Sequence, residues 1–172
     1  MICPDCRYDN IPGVDECEQC GGALVQFDPS GDELEQTISR HNVEVLCPQT
    51  PVTIEVSTSV REAIRELVDN KIGCLLVVAD GELAGIFTER DVLNKVSADL
   101  NTLDRPVSGF MTSSPETITK QDSIAYALHT MDLGGYRHLP IVDGGRPTGV
   151  ISVRDILRFL CIRFAELRSQ AG

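Results

Sequence analysis

Four cysteines near the start of the chain have the spacing of a metal site. Cys3 and Cys6 form one Cys-x-x-Cys pair, Cys17 and Cys20 form a second, and ten residues separate the pairs. Each pair directs two thiolates at one point, and two pairs complete the tetrahedral thiolate cage that Zn²⁺ prefers. We therefore predict a structural zinc site made by all four, whose metal stabilises a segment too short to fold on its own core.

Two other states of these cysteines are open. Iron binds in the same thiolate cage, because the choice of metal depends on supply as well as on ligands. Two disulfides would need an oxidising compartment, and no other feature of the sequence indicates one. The double spacing favours zinc over both.

A second chemical pattern, Ser/Thr-x-x-Asp, occurs at Thr88 and Asp91 and again at Ser152 and Asp155. Each copy lies where an apolar run changes to a helical pattern, so the free amides of a helix start lie beside the hydroxyl. The aspartate follows one turn later, and its carboxylate suits the paired hydroxyls of a ribose. The same pattern is also a variant of the helix capping box, so a purely structural role stays open.

Composition argues against several classes of function. The net charge is -11 at pH 7, which repels a nucleic-acid backbone at long range. The chain has no P-loop pattern, and none of its three histidines accompanies a nucleophile, so we expect no enzyme activity. No apolar run approaches the roughly 20 residues that span a bilayer, and the first residues lack a secretion-signal pattern. We therefore expect a cytoplasmic protein without a membrane partner.

The elements that must position these residues come from an internal repeat with an offset of 64 residues. Each half predicts the order strand, helix, strand, strand, helix, with the first helices starting after Thr58-Ser59 and after Asp122. Continuous apolar runs at 74–79 and 139–142 predict buried strands, each followed by a Gly-containing turn. Residues 34–41, before the repeat, predict a short helix.

The repeat resembles the CBS domain, named for cystathionine β-synthase, over about residues 43–165. The resemblance rests on Gly85–Asp91, Gly149–Asp155 and His138–Asp143. The N-terminus is similar to short zinc ribbons in Cys3, Cys6, Asn10, Gly13, Cys17, Cys20 and Gly21, although Arg7 replaces their usual Gly. We predict an α/β fold: two CBS-domain repeats packed as a tandem pair and preceded by a small zinc ribbon. The predicted segments are 1–26 (zinc ribbon), 27–42 (linker), 43–106 (first CBS domain) and 107–172 (second CBS domain with the C-terminal helix).

The resemblance implies two clefts for an adenosine-containing ligand. One takes Ser152 and Asp155 with Ile72, Gly73 and Cys74; the other takes Thr88 and Asp91 with Phe110, Tyr136, Arg137 and His138. Arg90 and Arg154 precede the aspartates and are candidates to reach phosphates, or else ordinary exposed helix residues. The clefts should differ, because Ile72-Gly73-Cys74 offers no charge.

The implied function is a regulatory module that binds AMP, ADP, ATP or another adenosyl ligand and signals to a protein partner. The alternative is a protein-interaction module that uses the zinc ribbon, with the CBS pair as an unliganded dimerisation scaffold. Apolar residues surround the last helix instead of forming one stripe, so we expect a homodimer. Cys47, Cys74 and Cys161 lie in apolar segments and are expected in the core.

Overall fold

The computed structural model describes residues 3, 8–11, 14, 16–21, 33–97 and 99–170. The chain divides into two compact units, and each is described by itself. A helical unit comprises Met1–Cys47, Lys120–Arg137 and Val153–Gly172, and a sheet unit comprises Pro48–Thr119 and His138–Ser152. No helix in the described part of the chain is long and apolar enough to cross a membrane.

The sheet unit contains a four-stranded sheet in the order β1 (Thr53–Glu55), β2 (Cys74–Ala79), β3 (Glu82–Thr88) and β4 (Thr112–Ser113). Its helix α2 (Val60–Asp69) starts at Ser59, whose side chain forms a reciprocal capping box with Glu62. The apolar face of α2 packs with alternate residues of β2 in a core that includes Val60, Ala63, Leu67, Leu75, Val77 and Phe87. Strand β2 is buried on both faces, which explains its unbroken apolar sequence.

A separate hairpin of the sheet unit reproduces β2 and β3. Strands β5 (His138–Asp143) and β6 (Arg146–Ser152) pair in a register in which every partner pair is the β2–β3 pair shifted by 64 residues. The β-bulge after Val77 recurs after Ile141. The turns match too, because Asp80-Gly81 and Gly144-Gly145 all have positive φ, as a type I′ turn requires. The sequence repeat is therefore also a structural repeat.

The two repeats exchange segments. Strand β4 follows residue 107 but pairs with β3, and Val107 and Phe110 lie in the core around α2. In return, Gln49 pairs with Val150 of β6. Each hairpin is thus completed by residues that the sequence assigns to the other repeat.

The helical unit contains α1 (Glu33–Arg40), α4 (Ile124–Gly134) and α5 (Val153–Gln170). Helix α1 confirms the short helix predicted at 34–41 and packs on α4. Ser123, one residue after the expected Asp122, caps α4 by accepting a hydrogen bond from the amide of Tyr126 (3.0 Å). Residues 27–32 of the predicted linker lie outside the described residues.

Helices α2 and α4 end in the same hydrogen-bonded motif. The amide of Ile72 donates to the carbonyl of Leu67 (3.1 Å), and the amide of Tyr136 donates to the carbonyl of Met131 (2.9 Å). Each bond joins an amide to the carbonyl five residues earlier, which is the hydrogen bond that defines a Schellman motif. In this motif the residue immediately before the donating amide adopts the left-handed conformation. That residue is Gly135 at φ 62 in α4 but Lys71 at φ 55 in α2. The first ending leads into Ile72, Gly73 and Cys74, and the second leads into Tyr136, Arg137 and His138, which are all predicted ligand contacts.

We expect Lys71→Gly to raise the free energy of unfolding by about 0.5–1 kcal/mol. Glycine relieves the strain of a side chain in the left-handed conformation, and the larger loss of backbone entropy on folding offsets part of that gain. Gly135→Ala should lower it by a similar amount, because an added Cβ meets nothing within 4 Å and backbone strain alone acts. Gly109→Ala is the matched control, since that glycine also has open space but no positive φ. Urea unfolding measures all three, and a loss of stability in Lys71→Gly would contradict the prediction.

Candidate functional site

Three cysteines of the predicted metal site lie together. The Sγ atoms of Cys3, Cys17 and Cys20 all lie within 4.8 Å of one another, and those of Cys3 and Cys20 are 3.6 Å apart. Zn–S bonds of about 2.3 Å in a tetrahedron place sulfur atoms about 3.8 Å apart, so the spacing fits one shared metal ion. Cys6, the fourth predicted ligand, lies outside the described residues.

Hydrogen-bond donors surround the sulfur of Cys17. The amide of Gln19 lies 3.4 Å from this Sγ, and the side-chain nitrogen of Asn10 lies 3.5 Å from it. Asn10 is buried and accepts a bond from the amide of Glu18 (3.0 Å), which fixes its orientation. Donors aimed at a sulfur favour its thiolate form, which is the form that binds a metal. This donor set therefore fits a thiolate-bound ion.

In the sheet unit, Thr88 and Asp91 form a reciprocal capping box. Oδ2 of Asp91 accepts bonds from the amide (2.9 Å) and the hydroxyl (2.7 Å) of Thr88, whose hydroxyl oxygen faces the amide of Asp91 (3.3 Å). The box starts α3 (Glu89–Asp91), which continues as a π-helical turn over Val92–Val96. Asp91 is only 7% exposed. The structural role that the sequence left open is therefore present, and it does not exclude a ligand.

Lys95 also contacts Asp91, although the sequence did not single it out. Its Nζ lies 2.7 Å from Oδ1 of Asp91 and donates to the carbonyls of Phe110 (2.8 Å) and Met111 (3.2 Å). An acidic residue four positions before a lysine commonly forms an ion pair on a helix, so the spacing of Asp91 and Lys95 could have predicted this contact. Phe110 itself lies in the core, with the guanidinium of Arg105 5.4 Å from its ring centre.

Gly73 and His138, which were predicted for different clefts, lie against each other. A Cβ added to Gly73 would lie 3.0 Å from the imidazole of His138 and 3.8 Å from a carboxylate oxygen of Glu89. The pairing of β2 with β3 places Cys74 opposite Thr88, and that of β5 with β6 places His138 opposite Ser152. The missing side chain at Gly73 therefore makes room for the imidazole.

The cysteines outside the N-terminal cluster do not share one environment. Cys74 is buried, and burial raises the pKa of its thiol to about 12, so it stays protonated at neutral pH. Cys47 and Cys161 are exposed, so the expectation that they lie in the core was wrong. Their apolar neighbours in sequence belong to a turn and a helix with one exposed side, which local composition does not reveal.

The remaining candidates are placed as follows. Ile72 packs against the core of the sheet unit, and Arg90 is exposed on α3. In the helical unit, Tyr136 lies over Gly134, and the carbonyl of Arg137 accepts a bond from the amide of Val153 (3.0 Å). The first repeat has the equivalent bond, from the amide of Glu89 to the carbonyl of Gly73 (3.2 Å). Arg154 is exposed and Asp155 is half-buried on the first turn of α5.

Comparison with known proteins assigns the family. The model of the CBS domain matches residues 43–98 and again residues 107–162. An uncharacterized 17.7 kDa protein of Acidianus ambivalens is 32% identical over 109 residues, which are 62% of this chain and 65% of that protein. The chain thus spans less than two thirds of the length of that relative.

Two solved structures share the fold. A CBS domain protein from Pyrobaculum aerophilum complexed with AMP is 27% identical, with a TM-score of 0.63 over 73% of this chain and 98% of that one. A CBS domain pair in complex with 5′-methylthioadenosine and S-adenosyl-L-methionine is 25% identical, with a TM-score of 0.64 over 71% of this chain and 97% of that one. The chain therefore belongs to the CBS domain family and carries two CBS domains as a tandem pair.

Proposed function

We propose that this CBS pair binds an adenosine-containing ligand, takes no part in catalysis, and transmits ligand binding to a protein partner. The observation that carries the proposal is the nearly buried carboxylate of Asp91 at the junction of β3 and α3. A buried carboxylate suits a ligand that offers hydroxyl groups, because it accepts hydrogen bonds and donates none. The relatives complexed with AMP and with two other adenosyl compounds support the same ligand class.

The side chains around the predicted clefts support a phosphate or another anionic substituent on some ligands. Arg90, Arg137 and Arg154 are all exposed side chains. Guanidinium groups bind phosphate through two parallel hydrogen bonds. We therefore place AMP, ADP and ATP beside uncharged adenosyl compounds as candidates.

Binding of a partner protein through the ribbon is the second candidate function. Tyr8 is 41% exposed and Ile11 is 65% exposed, and both flank the buried Asn10 beside the cysteine cluster. Apolar side chains fixed by a metal-bound segment make a small rigid contact surface. We propose zinc as the ion in this segment and the cytoplasm as the compartment, where free thiols stay reduced.

A homodimer also stays a proposal. Leu157, Ile162 and Phe164 of α5 are between 46% and 55% exposed, although Ile156 of the same helix is buried. The exposed residues support contact with a second copy, because that contact would remove their apolar surface from water.

Isothermal titration of the full chain with AMP, ADP, ATP, S-adenosylmethionine and 5′-methylthioadenosine tests the proposed function. We expect saturable binding of at least one of them, and no binding of ribose 5-phosphate, which lacks the base. If none of the five gives a saturable signal, adenosyl sensing is wrong and the interaction module becomes the better function.

A further inference from the structure

Lys95 is held at a point where all three of its hydrogen-bond donors are used. The ammonium group offers three N–H bonds, and the structure gives it the carboxylate of Asp91 and the carbonyls of Phe110 and Met111. Its side chain is 39% exposed, so these three bonds are made near the protein surface. The two main-chain carbonyls hold the ammonium group in place, so Lys95 and Thr88 together fix the orientation of the Asp91 carboxylate.

The bonds to Asp91 leave a particular set of acceptor positions. A carboxylate has about four such positions, two on each oxygen. Among the described residues, Thr88 fills both positions on Oδ2 with its amide and its hydroxyl, and Lys95 fills one on Oδ1. The hydroxyl of Thr88 can rotate, so a ligand atom that accepts its hydrogen bond would release one position on Oδ2. One position on each oxygen is then free, which matches two neighbouring hydroxyls of one ribose.

The charge of Lys95 matters for the same geometry. Asp91 is 7% exposed before any ligand arrives, and a ligand on it would remove most of the remaining water. An ionised carboxylate away from water is costly unless an opposite charge accompanies it. Within the described residues, Lys95 is the cationic side chain that forms an ion pair with Asp91. Its ammonium group occupies one acceptor position on Oδ1 and leaves the second one open.

We infer that Lys95 is a positioning residue that makes the Asp91 site selective for an intact ribose diol; this rests on the proposed function. It holds the carboxylate in the orientation that leaves one acceptor on each oxygen, and it balances the buried charge. The second repeat has Phe159 at the equivalent position, where the ring lies 5.6 Å from that of His41. The Asp155 site therefore has no lysine at this position, and the two sites differ in their selectivity for the diol.

The test compares AMP with 2′-deoxy-AMP by calorimetry in an Asp155→Ala background, which removes the ribose acceptor of the other repeat. We expect this background to prefer AMP at least about tenfold, the value of one hydrogen bond to a charged group. Lys95→Met should weaken AMP binding about tenfold and bring the two affinities close together. Lys95→Arg should keep much of the preference, and Lys120→Met, which removes another exposed lysine, should keep all of it.

A merely structural Lys95 gives a different result. Its loss would then lower the melting temperature and weaken the binding of AMP and of 2′-deoxy-AMP equally. An unchanged preference for AMP in Lys95→Met would therefore overturn the inference and leave the proposed function in place. If the unmodified chain binds no adenosyl ligand, the proposed function fails and the inference fails with it. Lys95→Gln, which keeps a neutral donor, provides the same comparison if Lys95→Met does not fold.

Discussion

Protein purified without added metal is expected to contain about one zinc ion per chain, and loss of that ion should unfold the N-terminal segment. Structural zinc in isolated small segments stabilises them by about 10–16 kcal/mol at neutral pH, which is larger than any single side-chain effect in this chain. The sulfur atoms of Cys3, Cys17 and Cys20 already lie at distances that suit one ion. Elemental analysis measures the metal, and protection of backbone amides in residues 8–21 measures the fold of the segment.

Cys17→Ser should abolish metal binding, because it removes the sulfur to which Gln19 and Asn10 donate. Cys47→Ser is the matched control, since Cys47 is an exposed thiol outside the cluster and its loss should leave the zinc content unchanged. Iron in place of zinc would show visible absorption and would correct the metal but keep the site. The absence of any transition metal, with all four cysteines reduced, would remove the site altogether.

Asp91→Ala is expected to weaken AMP binding at least about tenfold and to destabilise the fold by about 1–2 kcal/mol. The affinity falls because the ribose loses charge-assisted hydrogen bonds. The stability falls because the amide of Thr88 loses its acceptor and Lys95 loses its anionic partner. Calorimetry with AMP measures the first effect, and thermal melting without ligand measures the second.

Asp155→Ala is the comparison for this prediction, because the repeat makes the two aspartates equivalent while Asp155 is less buried. We expect Asp91→Ala to cost more phosphate-dependent affinity, since Tyr136, Arg137 and His138 are predicted to complete its cleft. Lower melting with unchanged affinity in both single variants and in the double variant would leave the aspartates as helix caps and nothing more.

The sequence predicted the elements of the repeat well because local signals define them. The apolar run 74–79 coincides with β2, and Asp80-Gly81 forms the expected turn, since period and turn chemistry are read within a few residues. The Thr88 and Asp91 pattern likewise predicted the start of a helix. These features need no knowledge of the rest of the chain.

What the sequence did not reveal depends on contacts between distant residues. The carbonyls of Phe110 and Met111 lie fifteen and sixteen positions beyond Lys95, so only the folded chain shows why that lysine is fixed. The exchange of segments between the repeats is also non-local, because a two-residue strand such as β4 carries no periodic signal. The exposure of Cys161 depends on which side of α5 is covered, and apolar residues surround that helix.

The exchanged segments affect synthesis on the ribosome. When the first repeat has emerged, β4 has not, so the edge of β3 that later pairs with it is still open. Open strand edges pair readily with other chains, and pairing between distant segments is slow to form. Neither repeat is then a self-sufficient folding unit, so a chain that is truncated between the repeats should aggregate instead of giving half of a working protein. The edge of β3 is covered only after translation has passed β4.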